Sequence, residues 1–185
     1  MAATAASIGH IWGSTPRERE QPFPCDRHVR DATDALFRAV DVDASPAVVF
    51  RWLCQLKVAP YSYDWIDNLG RPSPRTLTPG LEVLAVGQRL MGVFALVEFE
   101  RDRHLTMTVV SPAWQALLGA FACSYVVVPR GPGRSRLIVK IAARYPRGPV
   151  GTIVRWLTPW ADLVMMRKQL LTLKDLAEAC SRSSS

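Results

Sequence analysis

The chain has 185 residues, of which 49% are hydrophobic and 21% charged, and its formal net charge is +7. This length and composition are typical of one globular domain and exclude a disordered chain, a collagen and a disulfide-stapled miniprotein. The cysteines are widely spaced and form no CxxC pair, so we expect reduced thiols in a soluble, cytoplasmic protein. They are Cys25, Cys54, Cys123 and Cys180.

The excess positive charge lies in the last third of the chain. Residues 129–185 carry eleven basic and three acidic side chains, and seven of the basic ones precede Asp162. Such a patch can attract phosphate, anionic lipid or an acidic partner. The sequence contains no zinc-finger spacing and no aromatic strand of the RNA-binding type, so we expect no nucleic acid and at most weak contact with an anionic membrane.

Residues 1–34 mix alanine, serine, proline and charged residues without a period, which is typical of a mobile or loosely packed extension. Residues 1–13 lack the basic start of a signal peptide. Cys25 and His28 lie three residues apart, but a metal site or nucleophile pair needs further partners. We therefore predict no metal and no cofactor.

The first regular elements follow this extension. Residues 36–42 alternate and predict a strand. Ser45 then supplies a helix N-cap and Pro46 the first helical position, and apolar residues at helical spacing predict a helix over 47–57. Residues 61–80 predict an aromatic helical turn up to residue 68 and then a long irregular connection rich in glycine and proline.

From Gln88 onward the pattern becomes that of strands. Four runs alternate apolar and polar side chains, which predicts an antiparallel meander with one buried face: 91–99, 105–109, 121–127 and 137–143. In the first run we expect the odd-numbered residues, from Met91 to Phe99, to face the core. The uncharged segment 104–129 is interrupted by Ser111-Pro112 and other breaks, so it does not predict a membrane-spanning helix.

A helix ends the domain. Thr158-Pro159 marks either its capped start or a kink in a helix that begins near Val150. Apolar residues recur at steps of three and four and predict a buried stripe: Leu163, Met166, Leu170, Leu173 and Ala177. Residues 181–185 form a polar tail.

This order of elements predicts an α+β fold in which a long helix covers the apolar face of a curved antiparallel sheet. The strand-Asp-Ala-Ser-Pro-helix segment from Phe37 to Phe50, with the closing helix from Thr158, resembles the START-like helix-grip superfamily and its bacterial polyketide cyclase/dehydrase-like branch. The segment Pro60 to Asn68 is similar to one bacterial group within it. The resemblance covers residues 35–180 and implies a hydrophobic ligand cavity between sheet and helix, but no particular reaction.

The candidate ligand-binding residues form two groups. The polar-aromatic cluster of Tyr61, Tyr63, Asp64 and Trp65, with Arg89 on the next strand, could line the cavity mouth and orient a ligand carbonyl. In the alternative interpretation its aromatic rings pack the turn under the sheet and Asp64 caps local backbone. The candidates on the strands and the last helix are Met107, Phe121, Tyr125, Leu163 and Met166.

The sequence leaves three functions open. The first is binding of a small hydrophobic ligand, lipid-like or polyketide-like, in the internal cavity. The second is a cyclase or dehydratase in the same cavity, with Asp64, Tyr63 or Arg89 as proton acceptor or enolate stabiliser. The third is a peripheral lipid-handling module whose basic residues 130–155 face an anionic membrane.

Overall fold

A computed structural model describes residues 7–67 and 70–183, without the side chain of Asp67. The strands are β1 (Asp34–Val42), β2 (Arg89–Leu90), β3 (Phe94–Glu100), β4 (His104–Val109), β5 (Ala120–Pro129) and β6 (Ser135–Arg144). The helices are α1 (Ile8–Ile11), α2 (Pro16–Arg19), α3 (Pro46–Cys54), α4 (Asp64–Asp67), α5 (Pro112–Leu118) and α6 (Pro149–Ser183). Short 3₁₀ turns cover Pro24–Arg27 and Gln55–Lys57.

The strands form one antiparallel sheet in the order β1-β6-β5-β4-β3-β2. α3 and α4 lie between the first two strands, and α6 packs across the inner face of the sheet. The predicted α+β architecture, a curved sheet around a long C-terminal helix, is confirmed.

The core lies between the inner face of the sheet, α3 and the second half of α6. Every second residue of β6 enters it, including Leu137 and Val139, as the alternation predicted. Tyr125 of β5 does the same and is fully buried. On α6 the predicted stripe is confirmed in Leu170 and Leu173, which pack against these strands. The two-residue period of the strands and the three-to-four-residue period of the helix therefore place the core correctly.

α6 runs through Pro159 without interruption, so the helix begins at Pro149 and the interpretation of Pro159 as an internal residue is correct. The carbonyl of Pro159 accepts a hydrogen bond from Arg38 Nη2 at 3.2 Å. At the other end the helix includes residues 181–183, the described part of the expected tail. Within 7–67 and 70–183, no helix is both long and apolar enough to cross a membrane.

The predicted inward face of β3 is wrong. Met91 and Gly92 form a turn with positive φ angles, +47° and +75°, between β2 and β3. Within β3, Phe94 and Leu96 rather than the odd-numbered residues pack against the inner core, whereas Met91, in the turn before the strand, packs against the core as predicted. Side chains alternate between the two faces of a strand. A turn that shifts the start of the strand by one residue therefore moves every side chain from the core face to the outer face, or the reverse. A bulge between Leu96 and Glu98 shifts the register once more.

Much of the described N-terminal extension packs against the outer face of the sheet, while α1 packs against β1 and α6 and Trp12 packs against the inner core. This differs from the loose packing that the composition of the extension predicts. Phe23 and Val29 are buried against Phe37 of β1 and its neighbours. The backbone N–H of Cys25 donates to Ser124 Oγ at 2.8 Å. The segment lacks a period because it consists of short turns, and its side chains make the outer face of β1, β5 and β6 a second, smaller core.

Charge pairs fix this extension and neutralise much of the basic stretch. The carboxylate of Glu18 on α2 accepts hydrogen bonds from Arg136 Nε and Nη2 at 2.9 and 3.1 Å. The remaining pairs of the stretch are Arg130–Glu18 at 3.4 Å, Arg134–Asp43 at 3.0 Å, Arg136–Asp41 at 3.1 Å and Lys140–Asp26 at 2.6 Å. Among the described residues, three members of the basic stretch have no ion pair: Arg144, Arg147 and Arg155.

Candidate functional site

A cavity of about 450 Å³ lies between the inner face of the sheet, α5 and the middle of α6. The sheet contributes Phe94, Met107, Val109, Phe121, Cys123, Tyr125 and Ile141. α6 contributes Thr158, Ala161, Asp162, Met165, Met166 and Gln169. The other lining residues are Pro60, Ser62, Met91, Trp114 and Leu118. Small-molecule sites in proteins span about 300–1,000 Å³ and are mostly apolar, as this one is.

The floor of the cavity is a row of side chains across three strands. Met107 is directly opposite Cys123 on the neighbouring strand, and Cys123 is opposite Ile141. Directly opposite residues of an antiparallel pair point to the same face, so all three enter the space under α6. The central position is occupied by the small side chain of Cys123, which leaves room above it. Burial raises the pKa of the Cys123 thiol well above its ordinary value, so the thiol stays protonated.

α5 forms one wall of the cavity, and we did not predict this helix. It begins at Ser111-Pro112, the same cap-and-proline signal that starts α3, which was the sign that could have revealed it. It ends at Gly119, where φ is +86° and a β-carbon would lie 2.1 Å from the carbonyl oxygen of Arg144. Its Trp114 remains 44% exposed although it lines the cavity. The cavity therefore meets solvent beside α5.

One polar pair in the cavity wall is internally satisfied. The hydroxyl of Tyr125 donates to Gln169 Oε1 at 2.6 Å. The amide nitrogen of Gln169 donates in turn to the carbonyl of Pro60 at 2.6 Å. Burial raises the pKa of Tyr125 well above its ordinary value, so the hydroxyl remains a donor. This network ties β5 and α6 to the segment before α4.

Asp162 is the one carboxylate among the described residues that line the cavity. Its Oδ2 lies 2.8 Å from Nη2 of Arg38, whose side chain is completely buried. Arg38 also donates to the carbonyls of Phe37 and Gly9, at 2.8 and 2.7 Å. Burial raises the pKa of Asp162 to about 6, although the attraction of Arg38 opposes this shift. An ion pair thus lies at the boundary between the core and the cavity.

The structure distributes the sequence-predicted site residues over several places. Met107, Phe121, Tyr125 and Met166 line the cavity. Leu163, Tyr63, Trp65 and Arg89 are not among its lining residues. Trp65 is 75% exposed, and Arg89 is exposed and donates to the carbonyl of Gly92 at 3.4 Å.

Tyr61 and Asp64 line a separate polar cleft of about 190 Å³ beside Ser73 and Arg75. The carboxylate of Asp64 accepts hydrogen bonds from the backbone N–H of Ser73, at 2.9 Å, and from its hydroxyl. Tyr61 is buried in edge contact with Trp52, and burial raises its pKa to about 12. These contacts fit the alternative interpretation for Tyr61 and Asp64, whereas the exposed ring of Trp65 does not pack under the sheet. Asn68, the end of the predicted segment, is outside the described residues.

Other depressions of comparable volume lie elsewhere on the surface. One of about 510 Å³ is at the edge of the sheet, near His28, Gln115 and Arg144. It is more open to solvent and carries charged and amide side chains, so it does not enclose an apolar molecule. The space between sheet and α6 combines enclosure, apolar walls and a few polar groups, and is the candidate site.

No protein-family model matches the sequence, and no curated protein matches it significantly. A protein of Thermobifida fusca solved by NMR has a TM-score of 0.51 and 18% identity, over 77% of this chain and 92% of that one. A crystal structure from Thermus thermophilus has a TM-score of 0.50 and 15% identity, over 80% and 99%. A START superfamily protein from Mycobacterium smegmatis has a TM-score of 0.46 and 16% identity, over 82% and 99%.

Identities this low establish only a fold. The six-stranded antiparallel sheet, the two short helices after its first strand and the long closing helix agree with the predicted fold. The chain therefore has a helix-grip fold, which the structures from Thermobifida fusca and Thermus thermophilus resemble.

Proposed function

We propose that the protein binds a small, predominantly apolar molecule in the cavity between the sheet and α6. The observation that carries the proposal is the apolar cavity of about 450 Å³ at the place where the helix-grip fold leaves space. Four methionines of its wall, Met91, Met107, Met165 and Met166, provide an adaptable surface for ligands of varied shape. We propose Phe121 and Tyr125 as further ligand contacts.

Titration with diphenylhexatriene, an uncharged hydrocarbon fluorophore, tests this proposal. The wild-type protein is expected to bind it, and Ala161→Trp is expected to weaken binding by about tenfold or more, because an indole then occupies the cavity mouth. Ala47→Trp is the matched control, since Ala47 is also a helical alanine but does not line the cavity. Absence of binding by the wild type, or equal weakening by both substitutions, would contradict the proposal.

A catalytic use of this cavity has less support. Of the groups considered for a cyclase or dehydratase, Asp64 is engaged by Ser73, and neither Tyr63 nor Arg89 lines the cavity. Aldol chemistry requires a proton acceptor and an enolate stabiliser near the reacting carbon. Asp162 is the remaining acid at the cavity, and its immediate partner Arg38 is already engaged by carbonyl oxygens. We therefore favour binding over catalysis.

A membrane contact is a second candidate function, favoured by an apolar face at the start of α6. Large apolar side chains there are 47–71% exposed: Val150, Ile153, Trp156, Leu157, Trp160 and Val164. Residues 149–161 contain no acid, and the unpaired Arg147 and Arg155 lie beside or within this stretch. Tryptophan with arginine on one helix is typical of binding to the surface of an anionic bilayer. We propose that this face contacts such a surface.

Sedimentation with phospholipid vesicles tests the membrane candidate. Binding is expected to increase when phosphatidylglycerol is added to phosphatidylcholine and to fall with salt, since each basic group near the surface contributes about 1 kcal/mol. Trp156→Glu is expected to reduce partitioning by about tenfold or more. Trp65→Glu, at a tryptophan of similar exposure on α4, is the matched control and should change little. Binding that is insensitive to both lipid charge and Trp156→Glu would rule this candidate out.

A further inference from the structure

We infer that the carboxylate of Asp162 binds the polar end of the cavity's ligand, and that this end carries a neutral hydrogen-bond donor such as a hydroxyl group. The inference rests on the proposed function, because it assigns one end of the ligand to one place in the same cavity. It predicts an amphipathic ligand: an apolar body against the sheet and α5, and one hydroxyl directed at α6.

The first argument is that Asp162 has unused hydrogen-bonding capacity. A carboxylate has two oxygens and can accept several hydrogen bonds. In the part of the chain that the structure describes, Arg38 is its one paired group, through Oδ2 at 2.8 Å. The Asp162 side chain is 17% exposed and lines the cavity, whereas Arg38 is inaccessible behind it. A molecule in the cavity therefore meets the carboxylate and not the guanidinium.

The second argument comes from comparison with the other polar pair of the wall. Tyr125 and Gln169 use their groups on each other and on the carbonyl of Pro60. A ligand gains little there, since it would have to replace hydrogen bonds that already exist. Asp162 is different because no described residue donates a hydrogen bond to its second oxygen, Oδ1, and the side chain is partly accessible from the cavity. A ligand donor can therefore bind Oδ1 without displacing an existing hydrogen bond.

The chemical class of the donor follows from charge. A ligand carboxylate at this place would meet the like charge of Asp162 while Arg38 is shielded. An ammonium group would add a second cation to a pair that Arg38 already neutralises, and its desolvation is expensive. A hydroxyl group avoids both costs and forms a charge-assisted hydrogen bond. An ether of the same size can accept but not donate, so it gains no such bond.

Displacement of diphenylhexatriene by matched competitors tests the inference. The competitors are 1-decanol and its isomer nonyl methyl ether, which have the same atoms and differ in the hydroxyl donor. We expect the wild-type protein to bind the alcohol about tenfold more tightly than the ether, the usual effect of a hydrogen bond to a charged group. Decanoate is expected to compete less well than the alcohol.

Variants assign this preference to Asp162. Asp162→Asn leaves Arg38 buried without its counter-ion, so the main test is the double variant Arg38→Met with Asp162→Leu, which removes both charges. The alcohol-to-ether preference is expected to fall to about one in that variant. Glu18→Leu with Arg136→Met, which removes a buried pair away from the cavity, is expected to keep it.

The outcomes separate the inference from the proposed function. If diphenylhexatriene does not bind the wild type, the proposed function fails. If it binds but alcohol and ether compete equally, or decanoate competes best, the cavity binds ligands and the inference about Asp162 is wrong. A preference for the alcohol that persists in the double variant would also overturn it, because the donor would then bind another group.

Discussion

Replacing Arg38 by methionine is expected to lower the free energy of unfolding by about 3–5 kcal/mol near neutral pH, the usual cost of leaving one member of a buried ion pair alone. Arg38 is completely buried and pairs with Asp162 at 2.8 Å. Without Arg38, the carboxylate faces the core with no counter-ion, and three carbonyl oxygens lose their donor. Urea unfolding followed by tryptophan fluorescence measures the loss.

The pH dependence identifies the carboxylate as the cause of that loss. Burial holds the pKa of Asp162 at about 6 in the folded state, above its ordinary value, so its contribution to stability is complete at low pH and is lost as pH rises through 6. Removal of Arg38 raises this pKa further, so the loss continues to higher pH. The gap between wild type and Arg38→Met should therefore widen from about pH 5 to about pH 8.

A second variant controls for the lost carbonyl contacts. Addition of Asp162→Leu to Arg38→Met removes the carboxyl group and is expected to restore much of the stability near pH 8, because a buried pair can be replaced by apolar side chains at small cost. If the single and double variants unfold alike at every pH, the damage comes from the carbonyls, and the prediction is wrong.

Glu18→Gln is expected to destabilise the protein by about 3 kcal/mol at neutral pH, because it leaves Arg136 poorly compensated in a nearly buried place. Burial alone would raise the pKa of Glu18. The hydrogen bonds from Arg136 and from the backbone of Thr15 outweigh burial, so the pKa lies below its ordinary value. The wild type therefore has this stabilisation above pH 4.5 and loses it as the pH falls through the folded-state value.

The difference between wild type and Glu18→Gln should accordingly be full at neutral pH and shrink in acid, which unfolding curves at several pH values will measure. Glu20→Gln is the matched control, since Glu20 is exposed two residues away and should change stability by less than about 0.5 kcal/mol. An equal effect of both substitutions, or a Glu18→Gln deficit that is constant with pH, would show that the ion pair is not what fixes the extension.

The sequence predicts the fold best where a period fixes the direction of a side chain. Leu137, Val139 and Leu170 enter the core because alternation and helical spacing leave them no other face. The prediction of which side chains of β3 face the core failed because a turn at Met91 shifts the alternation by one residue before the strand begins. The apolar-polar pattern of the sequence gives no sign of this turn. The packing of residues 7–33 was also missed, since irregular segments have no period to show what they cover.

Most of the candidate site follows the same rule, with the exception of Leu163, which lies on the periodic α6 but does not line the cavity. Met107, Phe121 and Met166 lie on periodic elements and reach the cavity, whereas Trp65 lies on a short helix after an irregular connection and does not line it. The main omission was the pair of Arg38 and Asp162. Both interrupt an apolar face, Arg38 in β1 between Leu36 and Val40 and Asp162 four residues before Met166. A positive charge on the apolar face of a strand and a negative charge on the apolar face of the helix that covers it are the signal that could have revealed this ion pair.

The pairing of β1 with β6 has a consequence for how the protein is made. β1 leaves the ribosome roughly a hundred residues before the strand that binds it, while β2 to β5 can form a meander from close neighbours. Arg38 cannot form its ion pair before Asp162 of α6 has been synthesised. A nascent chain that ends before α6 therefore contains the strands that form the cavity floor but lacks both the helix that covers them and this ion pair.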